Sequence, residues 1–213
     1  MLSMPNPRTP RSGASTAPRS RTSRSAKPQP ATQPQTYSGA LPRWATKRTD
    51  RPTIGPRLGR IAEKLGTPFM PWQQMVADVA GEYDETSGLP IYREVIVTVP
   101  RQSGKTTLQL VEVLDRSLMW GRPCRTAYTA QTGLDARQKM VNDWAPMLRR
   151  SPFKVTIDRE LRGAAETAIE FTTGARVEVL AAAEEAGHGR TLDLGLIDEA
   201  FADEDDRREQ AIV

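Results

Sequence analysis

The chain has one cysteine and one histidine among its 213 residues, and these scarcities exclude several chemistries. Cys124 has no partner within the chain, so no intramolecular disulfide can form, which suits a reducing compartment. His188 stands alone, and a Cys/His zinc site needs more ligands than the chain can supply. No apolar run approaches the ~20 residues of a membrane-spanning helix, so no membrane partner is expected. Asp and Glu are absent from residues 1–49, which carry nine Lys or Arg. Against a whole-chain charge of +4, that segment is +9 and leaves −5 for residues 50–213. The high pI therefore belongs to the N-terminal segment. A general argument from basicity to nucleic-acid binding fails for the rest of the chain.

Large apolar side chains are also scarce in residues 1–40, where Pro, Ser, Thr, Arg and Gln dominate. Such a composition buries too little surface to offset the entropy of ordering, so residues 1–50 are expected to be a disordered basic tail. The early arginines are not followed by an apolar stretch, which excludes a secretory signal. Scattered prolines argue against the amphipathic helix of an organelle transit peptide. An arm touching nucleic-acid phosphates and a merely solvated tail both remain open.

From residue 55 onward, helical and strand patterns alternate. Leu58, Ile61 and Leu65 share one helix face, with Gly66 as a stop. Pro71 suits the first turn of a second helix running to Tyr83. Residues 93–99 are rich in β-branched side chains and read as a strand. A helix opens at Gly104 and continues through Leu108, Val111, Leu114 and Leu118 to Gly121. Arg125–Ala130 reads as a short strand, and Asp135–Arg149 as a helix. Ile169–Phe171 and Arg176–Ala181 flank Gly174 in a hairpin pattern. Leu192–Asp198 reads as a buried strand. This alternation implies an α/β fold with a mainly parallel sheet flanked by helices, in which ligands bind beyond the carboxyl ends of the strands.

Two polar motifs fall at such strand ends. The first is Pro100-Arg101-Gln102-Ser103-Gly104-Lys105-Thr106-Thr107, a turn between an expected strand and a helix. Its glycine lets backbone N–H groups approach phosphate oxygens, and the helix N-terminus adds partial positive charge. Lys105 supplies a point charge for the β- and γ-phosphates, and the Thr106 hydroxyl can ligate Mg²⁺. The usual phosphate loop has a glycine five positions before Gly104, where this chain has Val99. Arg101 sits inside the loop, where its guanidinium can reach the transferring phosphoryl group or pair with Glu94.

The second motif is Leu194-Gly195-Leu196-Ile197-Asp198-Glu199-Ala200, an apolar strand ending in two carboxylates. Asp198 reads as the Mg²⁺-side group and Glu199 as the water-activating base. The alternative is that the pair caps a following helix, where acidic residues favour the dipole. Upstream, Phe69-Met70-Pro71-Trp72-Gln73 offers an apolar shelf and an amide. That amide can donate to an adenine ring nitrogen and accept from its exocyclic amine. A helix start with a buried Trp72 is the other reading.

Together, Pro71-Trp72-Gln73, Val99–Thr106, Tyr128-Thr129-Ala130-Gln131-Thr132 and Leu196–Ala200 resemble the ATPase domain of the large terminase subunit of tailed bacteriophages. The resemblance covers residue 55 to the end, and Gly187-His188-Gly189-Arg190 extends it. That family's loop commonly lacks the first glycine and carries an Arg at the position of Arg101. The resemblance implies a P-loop NTPase fold of the ASCE type over residues 55–213, with ATP and Mg²⁺ as ligands. Gln73 would contact adenine, and Arg101, Gln102, Ser103, Gly104, Lys105, Thr106 and Thr107 the phosphates. Thr106 and Asp198 would hold Mg²⁺, and Glu199 would activate water. Arg190 is a positional candidate for an arginine finger acting in trans.

The implied partners are double-stranded DNA, the phage portal, the small terminase subunit and further copies forming a ring, in the cytoplasm of a bacterial host. Family members continue past the acidic motif into a nuclease domain. The chain is therefore expected to be an N-terminal part without nuclease activity. Two other functions remain open: the first lobe of a two-lobed nucleic-acid helicase, and a nucleotide-binding fragment without turnover.

Overall fold

A computed structural model describes residues 42–163, 165–180 and 191–198. The first helix, α1 (Gly55–Lys64), has Pro56 in its first turn and buries Leu58, Ile61 and Ala62. Helix α2 (Pro71–Ala80) starts at Pro71 as its spacing predicts, and ends at Ala80 before Gly81. Helix α3 (Lys105–Met119) buries Leu108, Leu110, Val111, Val113 and Leu114. Burial on more than one face fits its place in the core: α3 packs against α1 and also meets the sheet.

The sheet has five strands: β1 (Arg125–Thr129), β2 (Ile157–Arg162), β3 (Thr167–Phe171), β4 (Arg176–Val179) and β5 (Leu194–Ile197). Their spatial order is β2-β3-β4-β1-β5. Strand β1 pairs in parallel with β4 and with β5. Strands β2, β3 and β4 form an antiparallel meander. The architecture is thus α/β, as expected, but the sheet is mixed rather than mainly parallel. Short connections explain the difference: a tight turn can join only antiparallel neighbours, whereas parallel pairing needs a crossover of about a dozen residues or more. The hairpin at Gly174 was legible. The third strand of the meander, β2, carries four charged residues, Asp158, Arg159, Glu160 and Arg162, and shows no apolar run.

A second correction concerns residues 93–99, which form no strand. Val95 is 50% and Ile96 69% exposed. Among the described residues β5 pairs only with β1, and no ladder reaches 93–99. β-Branched side chains favour a strand because they pack on a pleated surface, and without a partner strand that preference has nothing to act on.

The fourth expected helix, Asp135–Arg149, is present as a stretch over 133–150 built of α4 (Gly133–Gln138), a π-helical turn (Lys139–Trp144) and α5 (Ala145–Arg150). Thr132 caps α4: its hydroxyl oxygen accepts from the Asp135 N–H at 3.0 Å. The wide turn lies just before Pro146, which lacks an N–H and crowds the carbonyl four residues back, so local widening relieves the clash. The turn delivers Trp144 into the core, where its ring lies 4.7 Å from that of Tyr128 at 43°. Cys124 is fully buried too, just before β1. Burial pushes its thiol pKa up, and the nearby Asp193 charge adds to this. Among the described residues no helix is long and apolar enough to cross a membrane.

Candidate phosphate-binding site

The turn before α3 has an unusual backbone. Gln102 has φ 59° and Gly104 φ 95°, so two of three consecutive residues sit in the left-handed region. Gln102 is the sole non-glycine in that region among the described residues. A side chain there costs on the order of 1–3 kcal/mol, and such outliers gather where a loop must take one shape. Alternating backbone handedness turns successive N–H groups toward a common concavity, which suits an anion. The Ser103 hydroxyl donates to the Pro100 carbonyl at 2.7 Å and closes the turn from within.

Gly104 is required twice over. Its φ disfavours any other residue. In addition, a Cβ there would lie 2.6 Å from Met70 Cε and 2.9 Å from Gln73 Nε2. Arg101 and Gln102 are exposed, and Ser103 through Thr107 are half-buried. Lys105, Thr106 and Thr107 occupy the first turn of α3, where orphan N–H groups and the dipole favour negative charge.

Asp198 follows β5 at the carboxyl end of the parallel part of the sheet. Its N–H donates to the Thr129 carbonyl at 2.9 Å. The Tyr128 hydroxyl donates to Asp198 Oδ2 at 3.1 Å. Tyr128 is fully buried, so the core itself orients this carboxylate. Sequence reasoning noticed Tyr128 only as part of a motif. Its role depends on the register that sets Tyr128 beside Leu196 and Thr129 beside Ile197. Helix α3 packs against β5, which makes the helix bearing Lys105 a neighbour of the strand that precedes Asp198.

Gln73, expected against adenine, lies between two helix starts. It is 2% exposed. Its Oε1 accepts from the Met70 N–H at 2.6 Å, and its Nε2 donates to the Gly104 carbonyl at 2.8 Å. Glu199, Arg190 with the rest of 187–190, and residues 1–41 of the expected tail lie outside the described residues.

A magnesium–nucleotide ligand fits the groups present. Thr106 and Asp198 offer hard oxygen donors of the kind Mg²⁺ takes, and the loop's cradle at Gly104 is one that a Cβ would fill. Among the described residues there is no cluster of three or more His, Cys, Asp or Glu side chains. No family model, curated protein or solved structure matches the chain.

Proposed function

We propose that the chain is the ATP-binding and ATP-hydrolysing part of a DNA-packaging motor of the terminase large-subunit type, with a P-loop NTPase fold of the ASCE class. One observation carries the reading: the left-handed backbone at Gln102 and Gly104, directly ahead of Lys105 and Thr106 at the start of a 15-residue helix. This combination provides a concave array of N–H donors, a helix dipole and a lysine charge at one point. The carboxylate of Asp198, held by a buried tyrosine at a neighbouring strand end, supports it.

In this reading Gln102, Ser103, Gly104 and Thr107 line the phosphate chain, and Lys105 neutralises the β- and γ-phosphates. Thr106 and Asp198 hold Mg²⁺, which offsets charge on the phosphate oxygens. Arg101 reaches the γ-phosphoryl group from within the loop. Glu199 accepts a proton from the water that attacks the γ-phosphorus. The bond to the β-phosphate oxygen breaks, and ADP and phosphate leave. DNA, the portal, the small subunit and further copies in a ring are the partners of such a motor, working in a bacterial host's cytoplasm.

The test is Glu199→Gln. Turnover should fall on the order of 100- to 10,000-fold while ATP affinity is kept, because the amide preserves shape but cannot take the proton. Phosphate release is measured beside nucleotide titration. Wild-type turnover in the variant would remove Glu199 as the base. Tight ATP binding with no release even in the wild type would favour a nucleotide-binding protein without turnover.

A further inference from the structure

Every group that fixes the phosphate loop from inside was visible in its motif, but one that fixes it from outside was not. The Gln73 amide lies at the junction of two helix starts. Met70 is the N-cap residue of α2 and Gly104 that of α3. The same side chain accepts from the Met70 N–H and donates to the Gly104 carbonyl. Its third neighbour is steric: the Nε2 atom occupies the space where a Cβ on Gly104 would lie. With 2% of the residue exposed, little of the amide is presented to any base outside.

We propose that Gln73 is a positioning residue for the phosphate loop, and not the group that reads the nucleotide base. The proposal rests on the triphosphate reading of the loop given above. The Gly104 carbonyl belongs to the peptide whose N–H is that of Lys105. Holding the oxygen from the α2 side keeps that N–H turned the opposite way, into the loop's concavity. The same oxygen also accepts from the Thr107 N–H at 3.1 Å, so the Gln73 bond is its second hold. It reinforces the direction of a donor meant for phosphate, and does so without touching the ligand. It also ties the left-handed turn at Gln102 and Gly104 to a helix that packs against α1, so the strained loop leans on the core. The chemical consequence is that Gln73 governs affinity for the triphosphate chain whatever base it carries.

The discriminating experiment measures binding of magnesium tripolyphosphate, MgATP and MgGTP to the full chain and to Gln73→Glu. The glutamate keeps an acceptor for the Met70 N–H but sets a second oxygen against the Gly104 carbonyl. Loss of that bond should weaken all three ligands by a common factor of about ten or more. Melting temperature and near-UV circular dichroism report whether the fold survives. Gln73→Met keeps the volume while removing both bonds, and it serves as the second variant should the glutamate melt early. A purely structural role would lower the melting temperature and leave tripolyphosphate affinity of the folded fraction unchanged; that result overturns the proposal. Loss confined to MgATP also overturns it and restores Gln73 as an adenine reader. If the wild-type chain binds none of the three ligands, the triphosphate reading itself falls, an outcome distinct from wild-type binding that the variants leave untouched.

Discussion

The β2-β3-β4 meander and the stretch from 93 to 104 make opposite use of similar residues. Both contain β-branched side chains next to charges. In the meander each strand has a neighbour, and the charges on its exposed face are paired. Arg176 reaches Glu166, Glu170 and Glu178, and Arg159 also reaches Glu170. In 93–104 no ladder forms, Val95 and Ile96 stand exposed, and the stretch ends in a left-handed turn ahead of α3. The contrast shows that strand propensity is a statement about surroundings. The same kind of sequence folds into a sheet or lies unpaired according to what is beside it.

The carboxylates sharpen this contrast. Burial pushes Glu170 up, but hydrogen bonds from Arg159 and Arg176 outweigh it and hold the carboxyl below its ordinary value. Glu112, on the helix that follows the loop, goes the other way. Burial drives it up to about 7, Arg116 opposes the rise, and Asp115 adds to it. Asp115 is itself held by Arg57 through two bonds, of 2.6 and 2.9 Å.

The largest effect should come from breaking the meander's charge lattice. Arg176→Ala leaves Glu178 and Glu170 without their shared cation, and Glu178 is only 7% exposed. The loss should be about 2 kcal/mol, a melting shift of about 4–8 °C, with nucleotide affinity unchanged. An unchanged melting temperature would mean the lattice is ornamental.

A smaller effect, of opposite sign, is expected from Glu112→Gln. Because the folded pKa is raised, the native state holds a proton that the unfolded chain releases between pH 4.5 and about 7. Stability from this group is complete below pH 4.5 and declines as pH rises through 7. The amide variant should therefore be more stable than wild type at pH 8 by about 1 kcal/mol, with the gap closing toward pH 4.5. Thermal melts across that range check both sign and window.

The smallest effect belongs to the unpaired stretch. Ile96→Thr should change stability by less than about 0.5 kcal/mol, since its side chain is already mostly in water. A loss of several degrees would show that 93–99 acquires a strand partner in solution and would erase the contrast.

Much of this was legible beforehand, and the misses share a cause. The helices were readable because their apolar spacing is local, and their ends were marked by Pro71, Gly66 and Gly121. The turn before α3 and the place of Asp198 at a strand end were readable because each lies in a contiguous motif. What escaped depends on pairing between distant segments. Residues 93–99 carry the right residues but lack a neighbouring ladder. Strand β2 lacks an apolar run but gains β3 as a partner. Tyr128 became the support for Asp198 only through the β1–β5 register. Gln73 was read for what an amide can offer a base; its bonds to the Met70 N–H and the Gly104 carbonyl join two helix starts that are distant in sequence.

The burial of Cys124 has a practical consequence. The one native thiol is sealed in the core with a raised pKa, so thiol-directed reagents have almost no thiolate to find. A cysteine introduced at an exposed position such as Arg101 or Leu134 would be the one site that labels. The natural chain thus serves as its own silent background for a fluorophore or spin label, and motions of the loop could be followed without first removing anything.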